Sequence, residues 1–173
     1  MQVELREKIL KILQATRDMA IATNRPDGYP QNTTVSFVHD GLSLYFGCGT
    51  HSQKLANLRR DGRVSVTLTA PYTSWAEIQG LSMSARAHEL HAGEDIERIG
   101  ALMLERFPAV GDIELAEPGD FALIEVVPEV ISVLDYTQGF GHTDVAIVTK
   151  GDISQTRRGE RHIWVPPVKR QRV

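Results

Sequence analysis

The chain carries one cysteine, Cys48, among 173 residues. No intrachain disulfide can form, and nothing here points to an oxidising compartment. No apolar run approaches the ~20 residues needed to span a bilayer. The N-terminal MQVELREKILKIL has neither a secretory apolar stretch nor a small-residue cleavage site. The expectation is a cytoplasmic protein with no membrane partner. Internal repeats and low-complexity segments are also missing, and no catalytic acid or base stands out. His88 and His91 lie three apart in a strand pattern, where they point to opposite faces. Asp112, Glu114, Glu117 and Asp120 lack the spacing of a calcium loop. No metal site is therefore expected. Gly139-Phe140-Gly141 has neither the third glycine nor the following helix of a dinucleotide loop. It reads as a turn from which Phe140 or His142 could reach a ligand.

What is present is an ordinary globular composition, 42% hydrophobic and 24% charged. At this length one domain can bury a core without disulfides or metals. The net charge of −3 conceals an asymmetry. Residues 150–173 hold seven of the 19 Lys and Arg (Lys150, Arg157, Arg158, Arg161, Lys169, Arg170, Arg172) and only two of the 22 acidic residues, Asp152 and Glu160. Residues 1–149 keep 12 basic against 20 acidic side chains. A basic tail can bind nucleic acid, but this one has a single aromatic, Trp164, and no nucleic-acid motif. It reads as a solvated or dimer-docking tail. The division expected is 1–149 as the folded domain and 150–173 as the tail.

The most informative stretch is 42–69, LSLYFGCGTHSQKLANLRRDGRVSVTLT. Leu42, Leu44 and Phe46 alternate with Ser43, Tyr45 and Gly47 as in a strand. Gly47 to His51 breaks that strand, Ser52 stands where an N-cap stands, and 53–60 are good helix formers. Gly62 is expected to end the helix with a left-handed residue. A hydroxyl-rich turn leading into a helix, with Lys54 in its first turn, is suited to an anion such as phosphate. Free N–H groups, the helix dipole and the ammonium all favour negative charge. Cys48 reads as a small buried apolar residue, and His51 is either a phosphate contact or simply exposed.

Around this stretch, Leu5, Ile9, Ile12 and Leu13 make an apolar stripe on an N-terminal helix through Gln14. Residues 19–23 and 31–39 read as a hairpin across the turn-rich 24–30, and Asp40-Gly41 as a two-residue turn into 42–47. Residues 63–69 and 75–90 read as strands, with Gly80 a bulge or close approach. Ile96, Ile99, Met103 and Phe107 share a helix face that Pro108 ends. Residues 121–134 form the last strand, interrupted by Pro128. The expected fold is α+β, mainly β: a six-stranded antiparallel split β-barrel with flanking helices.

The order of these elements resembles the pyridoxamine 5′-phosphate oxidase-like, FMN-binding split-barrel superfamily over roughly residues 1–135. Pro30 to Phe37, then Gly41-Leu42-Ser43-Leu44-Tyr45-Phe46, then Ser52-Gln53-Lys54, Asn57-Leu58 and Asp61-Gly62-Arg63-Val64 carry the likeness, with Ile78-Gln79-Gly80 and Ala85-Arg86-Ala87 behind them. The resemblance implies a homodimer with cofactor sites at its interface. Asn32, Thr33, Thr34, Val35 and Ser36 would lie beside the isoalloxazine. Tyr45, Phe46, Thr50, Ser52, Gln53 and Lys54 would hold ribityl and phosphate, and Trp75 and Gln79 would approach from the other subunit. The activity implied is an FMN-dependent oxidoreductase transferring hydride to or from a small molecule. An F420-dependent reductase, or a flavin- or haem-binding protein without turnover, are the alternatives. The ending Gly159 to Pro167 lacks the substrate segment of a pyridoxamine phosphate oxidase, which argues against that activity. The stretch Asp135 to Asp144, D-Y-x-x-G-F-G-H-x-D, is similar to the C-terminal part of other members and has no assigned role.

Overall fold

The computed structural model describes residues 2–112 and 119–159. Helix α1 (Gln2–Ala15) buries Leu5, Ile9, Ile12 and Leu13, the stripe its sequence shows. The strands are β1 (Asp18–Asn24), β2 (Pro30–Ser36), β3 (Val38–Asp40), β4 (Ser43–Gly49), β5 (Arg63–Thr69), β6 (Gln79–Glu89), β7 (Phe121–Asp135), β8 (Thr143–Thr149) and β9 (Asp152–Gly159), with α2 (Gln53–Arg60) after β4 and α3 (Gly93–Arg106) after β6. All pairings are antiparallel. The order is β2-β1-β5-β6-β7-β4-β3, with β8 on β7 and β9 on β8. No helix among the described residues is long and apolar enough to cross a membrane.

The architecture is α+β and mainly β, but among the described residues the sheet has nine strands rather than six. One addition comes from the 31–39 arm, which breaks at the fully buried Phe37 into β2 and β3. The others are β8 and β9. Residues 152–159, placed by the sequence in a basic tail, are a strand of the sheet. The rest of that tail, including Trp164 and Arg161, lies outside the described residues, as do Glu114 and Glu117 of the acidic stretch.

Strand β7 explains why the barrel is split. One edge pairs with β6 along nearly its whole length, while the other is shared, β4 taking Phe121–Val126 and β8 taking Val130–Leu134. Pro128 sits at the join, where a missing N–H is tolerated. The strand runs on through Pro128, and the register irregularity lies beside it rather than at Gly80: consecutive Ser84 and Ala85 of β6 oppose Val130 and Pro128, which leaves Glu129 of β7 as the extra residue. Gly80 is a close approach: a Cβ there would stand 2.9 Å from the Leu68 carbonyl oxygen.

Three local readings also shift. The β3–β4 turn has Gly41, φ +56°, as its first central residue and Leu42 as its second, one position beyond the expected Asp-Gly pair. Gly62 does not take the left-handed conformation. The α2 cap is Asp61 in extended backbone, and Gly62 is there because a Cβ would stand 2.6 Å from the Ala87 carbonyl oxygen. The 75–90 strand starts at Gln79, because Trp75–Glu77 form a 3₁₀ turn whose Glu77 carboxylate accepts from the backbone N–H of Thr73 and Ser74.

The main core lies inside the curled sheet and is closed by α1 and by Leu55 and Leu58 of α2. A second cluster on the outer face joins Val38, Tyr45 and Leu123 to Ile99 and Met103 of α3, while Ile96 is exposed. Inside the fold, Asp135 is 1% exposed and accepts from Lys8 on α1, Gln79 Nε2 (3.0 Å), Thr137 Oγ1 (2.6 Å) and Gln138 Nε2 (2.8 Å). Burial alone would raise its pKa, but these donors outweigh burial and hold the carboxyl well below the usual range. A depressed carboxyl stabilises the fold above its unfolded value near 3.8 and loses that contribution as pH falls below it. Asp135→Asn is accordingly expected to cost about 3 kcal/mol at pH 7. In urea unfolding at a series of pH values, the gap between wild type and variant should narrow below pH ~4; a gap independent of pH would contradict this account.

Candidate functional site

The 49–54 turn leaves β4 because two backbone bonds hold it. Thr50 N–H donates to the Asp120 carbonyl at 2.9 Å, and Ser52 N–H to that of Gly49 at 3.0 Å. Ser52 then caps α2, its Oγ accepting from Leu55 N–H at 3.2 Å. The N–H groups of Thr50, Ser52 and Leu55 are thus used inside the protein. Those of Gln53 and Lys54 make no hydrogen bond among the described residues, and these are the donors the helix start presents to an anion.

Helix α2 is fixed against the hairpin by Asn57, which has no exposed surface. Its Nδ2 donates to Thr23 Oγ1 at 3.0 Å and Gln31 Oε1 at 3.1 Å, and its Oδ1 accepts from Gln53 Nε2 at 2.9 Å. This places the first turn of α2 beside the face of β2 that carries Gln31, Thr33 and Val35.

Lys54 is half-buried, with Nζ 5.4 Å from the centre of the Phe46 ring. Burial pushes its pKa down, only partly countered by the nearby Cys48 thiol. No carboxylate among the described residues lies within 4.0 Å of it, whereas the arginines around α2 are paired: Arg25 with Asp27, Arg59 with Glu89, Arg63 with Asp61. A half-buried ammonium without a counter-ion is uncommon, since desolvation penalises it. A second unmet group lies on β2, where Thr33 Oγ1 is buried with no hydrogen-bond partner. Both are what an absent anionic, hydrogen-bonding ligand would leave behind.

Several expected site residues come together here and others do not. Thr33, Val35, Phe46, Thr50, Ser52, Gln53 and Lys54 belong to the β2–β4–α2 corner. Val35 packs on the main core and Phe46 is wholly buried beneath Lys54, so Phe46 backs the site without being open to a ligand. Asn32, Thr34 and Ser36 face the other way and are exposed, Ser36 donating to Asp18 at 2.6 Å. Strand β2 is a sheet edge, so its backbone remains available to a ligand even where its side chains point away. Tyr45 leaves the site. Adjacent strand residues point to opposite faces, and its ring lies under α3, its hydroxyl donating to Glu125 Oε1 at 3.0 Å. Cys48, which the sequence reading set aside, belongs to the corner: burial pushes its thiol up, while Ser52 and Lys54 beside it pull the other way.

Trp75, 71% exposed, and Gln79, bound to Asp135, lie at the start of β6. Helix α2 meets β6 at its far end, where Arg59 pairs with Glu89. Eleven residues of strand put the two ends roughly 30 Å apart, so one chain does not bring Trp75 and Gln79 to Lys54.

The pyridoxamine 5′-phosphate oxidase family profile matches residues 5–135. No curated protein sequence matches the chain. Among solved structures, a provisional pyridoxamine 5′-phosphate oxidase from Listeria innocua is 27% identical, covering 76% of this chain and 98% of its own, with a TM-score of 0.61. HutZ, the haem storage protein from Vibrio cholerae, is 22% identical over 72% of this chain and 90% of its own, TM-score 0.61. A haem-binding protein from Mycobacterium smegmatis is 19% identical over 82% of this chain and 57% of its own, TM-score 0.69. The latter two show likeness of fold alone.

The unpaired ammonium gives a direct measurement. In NMR titration of labelled lysines, Lys54 should titrate below the ordinary 10.5, and inorganic phosphate should move it upward, because a bound anion favours the charged form. A value at or above 10.5 in phosphate-free buffer would remove the basis for an anion site.

Proposed function

We infer that this chain, which belongs to the pyridoxamine 5′-phosphate oxidase family, is an FMN-binding homodimer acting as an oxidoreductase on a small molecule. The observation that carries the reading is the pair of unmet groups in one corner, the Lys54 ammonium and Thr33 Oγ1. A phosphomonoester near the dianion meets the first, and the polar edge of a ring system beside β2 meets the second. Lys54, the N–H groups of Gln53 and Lys54, and the hydroxyls of Thr50 and Ser52 would hold the phosphate. Thr33 and the backbone edge of β2 would meet the ring. When bound, FMN supplies hydride transfer, and the protein supplies position and electrostatics.

The single unpaired cation at the turn among the described residues favours FMN over F420, whose longer anionic tail needs further basic groups. The separation of Lys54 from Trp75 and Gln79 favours a dimer, in which the second copy brings its β6 start to the first copy's turn. A haem-binding reading draws on the two haem proteins of like fold and on His51, exposed next to Ser52 with its Nε2 3.9 Å from Asp120 Oδ1.

Absorption of the purified protein distinguishes these readings, as flavin and haem bands differ. Protein that is colourless and leaves FMN fluorescence unchanged on titration would overturn the first reading. Lys54→Ala should weaken FMN at least tenfold and riboflavin less than twofold, the loss of one charge-assisted contact to phosphate. Tyr45→Phe should leave both within twofold. Lys54→Ala and Trp75→Ala chains should each bind FMN poorly alone. Refolded together, they should recover one site per mixed dimer. No recovery would place both residues outside a shared site.

A further inference from the structure

We propose that the cavity between α1, β8 and β9 binds a small amino acid-like zwitterion, with a primary ammonium inward on Asp144 and a carboxylate outward on Arg158. The cavity is about 220 Å³ and is lined by Glu4, Lys8, Gln138, Asp144, Thr156 and Arg158 among others. It is smaller than the roughly 300–1,000 Å³ that drug-sized ligands occupy, which excludes a flavin or nucleotide and fits a molecule of amino acid size. It lies by the start of β6, at the other end of that strand from α2, and is independent of the FMN reading.

The inner wall is Asp144, the last residue of the unassigned Asp135–Asp144 stretch. Asp144 is 8% exposed and shares the core-facing side of β8 with Ala146 and Val148. Its Oδ2 lies 3.3 Å from His142 Nε2, and its Oδ1 is buried with no hydrogen-bond partner. A buried carboxylate oxygen without a donor is costly, so the site calls for an N–H group from a ligand. Two of the nearby donors are committed elsewhere. Lys8 is held by Asp135, and Gln138 Nε2 donates to the same carboxylate at 2.8 Å.

The outer wall fixes the other half of the ligand. Arg158 is the register partner of Asp144 across β8 and β9. Directly opposed residues of opposite charge commonly pair, yet no carboxylate among the described residues lies within 4.0 Å of either Arg157 or Arg158. A simple cation would meet the inner carboxylate but lie against the unpaired Arg158 guanidinium. A simple anion would meet Arg158 but leave Asp144 Oδ1 unmet. A zwitterion satisfies both ends, and its nitrogen must carry hydrogens.

The test is a thermal-shift and calorimetric titration of the full chain with each of the twenty standard amino acids, with glycine betaine and propionate as probes lacking the N–H donor and the cation respectively. At least one amino acid is expected to bind saturably, and betaine and propionate at least tenfold more weakly. Asp144→Asn should weaken that amino acid at least tenfold and Arg158→Ala at least threefold, the latter an exposed substitution that leaves the core intact. Lys54→Ala should bind it unchanged, which separates this site from the cofactor corner. No saturable binding by any amino acid, as for a cavity filled by water, would overturn the proposal. So would equal binding of betaine or propionate, or affinity untouched in both Asp144→Asn and Arg158→Ala.

Discussion

The amide of Asn57 governs how the candidate site is built, because it makes the contact that orients α2 on the β1–β2 hairpin. A wholly buried amide must satisfy donors and acceptor at once, and Asn57 does so with Thr23 on β1, Gln31 on β2 and Gln53 one turn earlier on its own helix. Those bonds set the rotation of the helix. With Leu55 and Leu58 directed into the core, Lys54 falls above Phe46 and beside β2. No nearby carboxylate offsets the desolvation of this ammonium, so the helix contact and the core packing together hold a charge where the chain alone would not place it. Such local cost is characteristic of groups kept for a ligand.

The same packing limits what lies around the ammonium. Ser52 is committed as helix cap, and Thr50 N–H is tied to the Asp120 carbonyl. The turn that reads as a row of free donors therefore offers fewer of them, concentrated at Gln53 and Lys54. Bonds within the turn make it rigid, and on the proposed reading an anion would bind there at a smaller entropic cost.

Features that depend on local periodicity were legible in the sequence, and features that depend on partner strands were not. The stripe of α1, the Ser52 cap and the alternation of β5 are each written within a few residues. Strand β9 has one buried residue, Ile153, and is held by backbone pairing to β8. Its Ser, Gln, Thr and Arg residues carry no strand pattern, so they pass for a tail. Pro128 looked like an interruption because only the switch from β4 to β8 as neighbour makes it tolerable. Gly62 looked like a left-handed cap, while its cause, the Ala87 carbonyl, is a long-range contact. In the corner itself, resemblance named adjacent residues such as Tyr45 and Phe46 together, although strand alternation separates them. Cys48, Asn57 and Gln31 stood beside named residues, and their part in the corner emerges only once α2 is docked.

Strand β6 bears on assembly through its length alone. Its start carries Gln79 and follows Trp75, and its end meets α2 at Glu89. A strand paired on both sides, with β5 and β7, does not bend enough to bring these ends together. On the proposed reading each chain holds two unlike half-sites at a fixed separation. A twofold axis joins the first half of one copy to the second half of the other, and by symmetry the reverse, so both sites close with no half left over. On that reading Trp75, 71% exposed in its own chain, would find its contact on the second copy.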